Sequence, residues 1–255
     1  MTLPLNHFKR ALKEGRQQIG LWNTIAGPVV AEALAGTGFD WLLIDTEHSL
    51  TDVPDVLGML QAVSAYPISP VVRPAANDPV LFKRLLDFGA QTLLVPYVQT
   101  AKEAQAAVAA MRYPPRGIRG AGGTIRANRF GTVDDYMNRA EQELCLLVQV
   151  ETAATLDQIE AIAAVDGVDG LFIGPNDLAA TMGYTGNPGH PVVKTAILDA
   201  IGRIAATGKA AGILTLDRDF AQECMEKGST FTAVGVDLVT LLGGVRALAR
   251  DFGRG

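Results

Sequence analysis

Eight times along the chain a short apolar run is followed by a longer stretch with helical periodicity, and that alternation limits the fold more than any other feature. The runs are IGLWN (19–23), WLLID (41–45), PVVRP (70–74), TLLVP (92–96), LCLLVQV (144–150), GLFIG (170–174), AAGILT (210–215) and TAVGVD (232–237). Nearly unbroken apolarity marks strands covered on both faces, as in a parallel sheet clothed by helices. Eight such units in 255 residues fit a TIM (β/α)8 barrel, built as one domain over 1–255, better than a doubly wound sheet. Gly38, Gly89, Gly208 and Gly228 fall where helices should end in a left-handed cap before the next strand.

One segment interrupts the rhythm. Residues 113–143, YPPRGIRGAGGTIRANRFGTVDDYMNRAEQE, form a Pro-, Gly- and Arg-rich connection between the fourth and fifth strands. Connections of that length usually serve a site or an interface. A net charge of −5 leaves no basic face, which argues against nucleic acid and anionic membranes as partners. Cys145 and Cys224 have no paired spacing and read as buried thiols of a reducing cytoplasm. The opening MTLPLNHFKRALKEG has no apolar signal core. No apolar run reaches the ~18 residues that span a bilayer, so a soluble, cytoplasmic protein is expected.

In a barrel the C-terminal ends of the strands form the mouth where chemistry sits. The polar residues there are Asp45, Glu47 and His48 after the second strand, Arg73 in the third, Gln149 and Glu151 at the fifth, and Asp177 beyond the sixth. Gln149 and Glu151 share a face with Cys145 and Leu147. That strand is therefore apolar inside the barrel and polar at its mouth, a switch that packing does not require. A carboxylate ending a buried strand is costly to desolvate without a partner. Glu151 and Asp177, on neighbouring strands, suit Mg²⁺ or Mn²⁺ with positions left open for water and substrate. A cap or salt bridge is the competing reading, since Asp177 adjoins the short helical pattern DLAATMG.

His48 alone among three histidines lies at a strand end, with Asp45 three residues before it. A carboxylate orienting an imidazole is the usual form of a general base near neutral pH; a capping histidine is the alternative. Arg73, followed by Pro74, suits an anion clamp or a stabiliser of developing negative charge. It would equally suit an ion pair with Glu47 or Glu151.

Absences narrow the chemistry. None of the seven lysines falls at a strand's C-terminal end, which disfavours a Schiff base. No glycine-rich phosphate cradle follows the last two strands, and GAGG (120–123) lies in the long connection, outside any strand–turn–helix context. A metal-assisted enolate is the favoured chemistry. A lyase acting on a CoA-thioester or dicarboxylate, and a non-catalytic keto-acid-binding barrel, remain as alternatives.

The chain resembles the class II, metal-dependent pyruvate aldolases of the 4-hydroxy-2-oxoheptanedioate aldolase family, whose relatives cleave 2-keto-3-deoxy sugar acids. The likeness covers nearly the whole length, through WLLIDTEHS (41–49), VVRP (71–74), LLDFGAQTLLVPYVQ (85–99), RYPPRGIRG (112–120), LVQVET (147–152) and GVDGLFIGPNDLAATMGYTGNP (167–188). The resemblance implies that Glu151 and Asp177 hold a divalent metal (Mg²⁺, Mn²⁺ or Co²⁺). It implies that His48 is a base oriented by Asp45, that Arg73 contacts the keto-acid, and that Gln149 stands near metal and substrate. The backbone around Gly174, Asn176 and Asp177 would hold the pyruvate carboxylate. Asp87 would enter a neighbouring subunit's site at the aldehyde end, where Leu214 and the 113–143 segment would also contribute. A homohexamer is implied, of trimers paired by exchange of C-terminal helices such as LVTLLGGVRALA (238–249), with pyruvate and an aldehyde as small-molecule partners.

Overall fold

A computed structural model describes residues 1–254. Eight parallel strands close into a barrel in sequence order. They are β1 (Gln18–Asn23), β2 (Trp41–Asp45), β3 (Ser69–Arg73), β4 (Thr92–Val95), β5 (Cys145–Val150), β6 (Gly170–Ile173), β7 (Ala210–Leu214) and β8 (Ser229–Val236). The eight runs read from the sequence coincide with these to within a residue or two, except that β8 begins three residues early. Its first residues look polar, but Ser229 and Thr232 are buried and their hydroxyls bond each other at 2.9 Å. Gly38, Gly89, Gly208 and Gly228 all have positive φ between 80° and 122°, as a left-handed cap requires.

Strand alternation divides the core in two. Leu146, Val148 and Val150 of β5 face the helices, whereas Cys145 and Leu147 join an interior cluster with Trp22, Trp41, Phe172 and Phe231. Large rings fill that interior because glycines face them: a Cβ on Gly20 would lie 2.1 Å from the Trp41 indole, and one on Gly212 would lie 2.2 Å from the Phe231 ring. Phe8, from the helix His7–Lys13, stacks beneath Trp41 and Phe231 and closes the N-terminal end. The interior is thus a packed aromatic plug, and chemistry is confined to the mouth above it. Burial pushes both free thiols up, Cys224 to about 12, so neither suits a nucleophile.

The 113–143 connection differs from its sequence reading in one respect. It follows the helix Ala101–Met111 and so lies at the N-terminal face, opposite the mouth of its own barrel. There Tyr113, Ala127, Val133, Tyr136 and Ala140 form a small core with Leu3. Helices return the chain to strand starts, so a long helix-to-strand connection cannot line the mouth of the same barrel.

The C-terminal helix, Asp237–Asp251, does not pack as an eighth barrel helix. Asp237 is its only buried residue, and Leu238, Val239, Leu241, Leu242, Val245 and Leu248 are exposed. Beside its first turns lies an apolar cavity of about 800 Å³ lined by Leu21, Val30, Leu34, Phe39, Ala221 and Met225. Among the described residues no helix is long and apolar enough to cross a membrane.

Candidate active site

Parallel register sets the first contact. Asp45 of β2 lies opposite Arg73 of β3, and both side chains point into the mouth. The Arg73 guanidinium donates from Nε to Asp45 Oδ1 at 2.9 Å and from Nη2 to Oδ2 at 2.6 Å, a two-pronged ion pair. Trp22 Nε1 donates to the same carboxylate at 3.2 Å, and the Trp22 ring lies 5.1 Å below the guanidinium. The main-chain N–H groups of Glu47 and His48 also donate to Asp45 Oδ1, at 3.0 and 3.4 Å. Burial would raise the Asp45 carboxyl, but these donors outweigh it and hold the group below its ordinary value.

That arrangement corrects the reading of Asp45 as the partner of the His48 ring. Asp45 touches only the His48 main chain, because Arg73 opposite it offers two charge-assisted bonds that an imidazole cannot match. The side-chain carboxylate nearest the ring is that of Glu47, with Oε1 4.0 Å from Nε2. His48 itself is 67% exposed, on the loop above the mouth.

A chain of contacts leads from Arg73 to the metal candidates. Arg73 Nη1 reaches Gln149 Oε1 at 3.5 Å, and Gln149 Nε2 donates to Glu151 Oε2 at 2.7 Å. The other oxygen of Glu151 accepts from the Tyr97 main-chain N–H at 2.6 Å. Arg73 Nη1 also lies 2.8 Å from Glu47 Oε2, although that oxygen has no aligned donor. Asp177 sits half-buried in the first turn of the helix Pro175–Thr181, which starts at Gly174 directly after β6. A first turn leaves N–H groups without intrahelical partners, and Asn176 is exposed beside it.

Charge is unbalanced here. Four carboxylates, Asp45, Glu47, Glu151 and Asp177, gather around one guanidinium. Burial, aided by Glu47 and Asp177, pushes the Glu151 carboxyl up to about 7 despite the Tyr97 and Gln149 bonds. Burial, with Asp45 and Asp177, also raises Glu47 despite Arg73. A hard divalent cation fits this set. The donors are all oxygen, positive charge is lacking, and space is kept open, since a Cβ on Gly174 would lie 2.7 Å from Glu151 Oε2. Among the described residues no three His, Cys, Asp or Glu side chains close into a metal cage. Glu151 and Asp177 would hold such an ion with positions left over.

Leu214 ends β7 half-buried at the mouth, against the interior cluster. Asp87 is not brought to this site within one chain. It ends the helix Pro79–Asp87 at the opposite face, where buried Arg119 donates to it at 2.8 Å. Sequence reasoning noted Glu47 at the mouth without giving it a role, and it missed Tyr97. Glu47 had a signal in its position two residues after Asp45; a main-chain donor such as Tyr97 N–H has none.

The family model described as HpcH/HpaI aldolase/citrate lyase matches residues 18–243. Pyruvate aldolase of Rhizobium etli is 60% identical over 252 residues, covering 99% of this chain and 99% of the relative. The 4-hydroxy-2-oxo-heptane-1,7-dioate aldolase of Salmonella dublin is 55% identical over 249 residues, 97% of this chain and 95% of the relative. Among solved structures, an HpcH/HpaI aldolase/citrate lyase family protein from Burkholderia cenocepacia superposes with a TM-score of 0.93 at 40% identity, covering 97% and 99% of the two chains.

Proposed function

The chain belongs to the HpcH/HpaI aldolase/citrate lyase family, and from that membership we infer a divalent-metal-dependent aldolase that reversibly cleaves 4-hydroxy-2-keto acids to pyruvate and an aldehyde. The observation that carries the metal dependence is the charge imbalance at the mouth: four carboxylates, one guanidinium, and a Glu151 carboxyl pushed up to about 7 by burial. Glu151 and Asp177 hold the ion, which when bound as Mg²⁺, Mn²⁺ or Co²⁺ supplies Lewis-acid polarisation of the substrate keto group.

The chain's own residues do the rest. The free N–H groups at Gly174, Asn176 and Asp177 receive the substrate carboxylate. His48, exposed above the mouth, takes the proton of the C4 hydroxyl directly or through one water. The C3–C4 bond breaks, the aldehyde leaves, and negative charge develops on the keto oxygen. Arg73, fixed by Asp45, stabilises that charge as the enolate forms and is protonated to pyruvate. Gln149 links Arg73 to Glu151 and keeps the two in register. Leu214 provides an apolar wall towards the aldehyde.

We also propose the homohexamer, with C-terminal helices exchanged between paired barrels. The apolar helix face and the empty cavity beside it support this, each lacking the partner that burial of apolar surface favours. Asp87, remote from its own mouth, would then serve a neighbour's aldehyde end. Two buried free thiols suit a reducing cytoplasm.

The test is cleavage of a panel of 4-hydroxy-2-keto acids by chelator-treated enzyme with and without added Mg²⁺, Mn²⁺ or Co²⁺. Pyruvate release is expected to vanish in excess chelator and to return with metal; full turnover in chelator would refute the metal role.

A further inference from the structure

Tyr97 adopts a backbone conformation that its side chain disfavours. Its φ is +52°, in the left-handed region that bulky L-residues seldom enter. Strain of that kind persists only where surrounding contacts enforce it, and such positions cluster at functional sites. The enforcing contact is visible. Directly after β4 and Pro96, the left-handed turn aims the Tyr97 N–H at Glu151 Oε1, 2.6 Å away. A charge-assisted bond of that length fixes the carboxylate's rotation.

The same residue meets the second carboxylate through its side chain. The phenol stands 48% exposed at the mouth and faces Asp177. Asp177 first, then burial, Glu151 and Glu47, raise the phenol above its ordinary value. It therefore stays protonated and can donate its hydrogen to Asp177. Carboxylates that bind metals commonly accept such outer bonds, and these select which lone pairs remain for the ion.

We propose that Tyr97 is a positioning residue for the carboxylate pair, its main-chain N–H orienting Glu151 and its phenol orienting Asp177 from one left-handed turn after β4. The inference rests on the reading of Glu151 and Asp177 as the metal carboxylates. Tyr97 contributes no atom to the reacting bonds. Its effect lies in how tightly the metal is held.

Removing only the hydroxyl separates the phenol from the backbone donor. Mn²⁺ affinity is measured on the full-length protein by the electron paramagnetic resonance of free Mn²⁺, for wild type, Tyr97→Phe, Asp177→Asn, the double variant, and Glu151→Ala as reference. Far-UV circular dichroism confirms folding of each, with Tyr97→Leu as a second hydroxyl-free side chain. Tyr97→Phe is expected to weaken Mn²⁺ binding about tenfold. In the Asp177→Asn background the same change is expected to have little further effect, because the two groups act as a unit. If Glu151→Ala loses Mn²⁺ while Tyr97→Phe and Tyr97→Leu bind it like wild type, the role of Tyr97 is overturned and the metal reading stands. If Glu151→Ala binds Mn²⁺ like wild type, the metal reading itself fails.

Discussion

Asp45 and Arg73 face each other across the β2–β3 register, and that pairing decides what the neighbouring His48 can do. With Asp45 taken by the guanidinium, its remaining capacity goes to Trp22 and to the main chain of Glu47 and His48. Asp45 thus shapes the loop that carries the base and leaves the ring free to swing. Asp45→Asn removes one half of a buried ion pair. The expected loss is about 3 kcal/mol of stability, and about 100-fold in kcat/KM from a misplaced Arg73. The sign of the pH dependence follows from the lowered Asp45 carboxyl. The folded chain binds this proton more weakly than the unfolded chain, so the contribution is present above the ordinary value and lost as pH falls through the lower, folded one. In urea unfolding, the gap between wild type and Asp45→Asn should be widest near neutrality and shrink as pH drops below 3.8. A gap that stays constant from neutral to acid pH contradicts the clamp. Much of this site was legible, since position at a strand end and residue type suffice to select Asp45, His48, Arg73, Glu151 and Asp177. Their pairing was not, because a register between two strands is invisible in one sequence.

Alternation made β5 readable from Cys145 to Glu151, with apolar residues inside the barrel and polar ones above. The strands were legible for the same reason, since burial on both faces leaves an apolar run whatever the neighbours are. The 113–143 connection was legible as an irregular segment but misjudged in place, since its function was inferred before its side of the barrel was known. The helix Asp237–Asp251 is the element whose sequence permits two answers. Packed on its own barrel or on another, it needs the same apolar stripe, and only its contacts reveal that the stripe is bare. Leu241→Asp with Val245→Asp places two charges on that stripe. Sedimentation velocity is expected to show hexamers falling apart into smaller species, with the circular dichroism of the barrel retained. Unchanged sedimentation contradicts helix exchange.

The molecule as a whole separates stability from chemistry along the barrel axis. Phe8, Trp41, Phe231 and Phe172 fill the interior, the N-terminal segment and the 113–143 connection close one end, and the polar groups of β2, β3, β5 and β6 meet at the other. No single strand carries the site, so the reaction depends on the closed barrel holding Arg73 and Glu151 one side chain apart through Gln149. The central claim is that Glu151 and Asp177 hold a metal where pyruvate is enolised. Exchange of the pyruvate methyl protons in D₂O, followed by NMR, tests it without any choice of aldehyde. Exchange is expected with Mg²⁺ or Mn²⁺, and is expected to be abolished by chelator and by Glu151→Ala or Asp177→Ala in folded protein. Exchange that continues at the wild-type rate in those variants, or in excess chelator, contradicts the account.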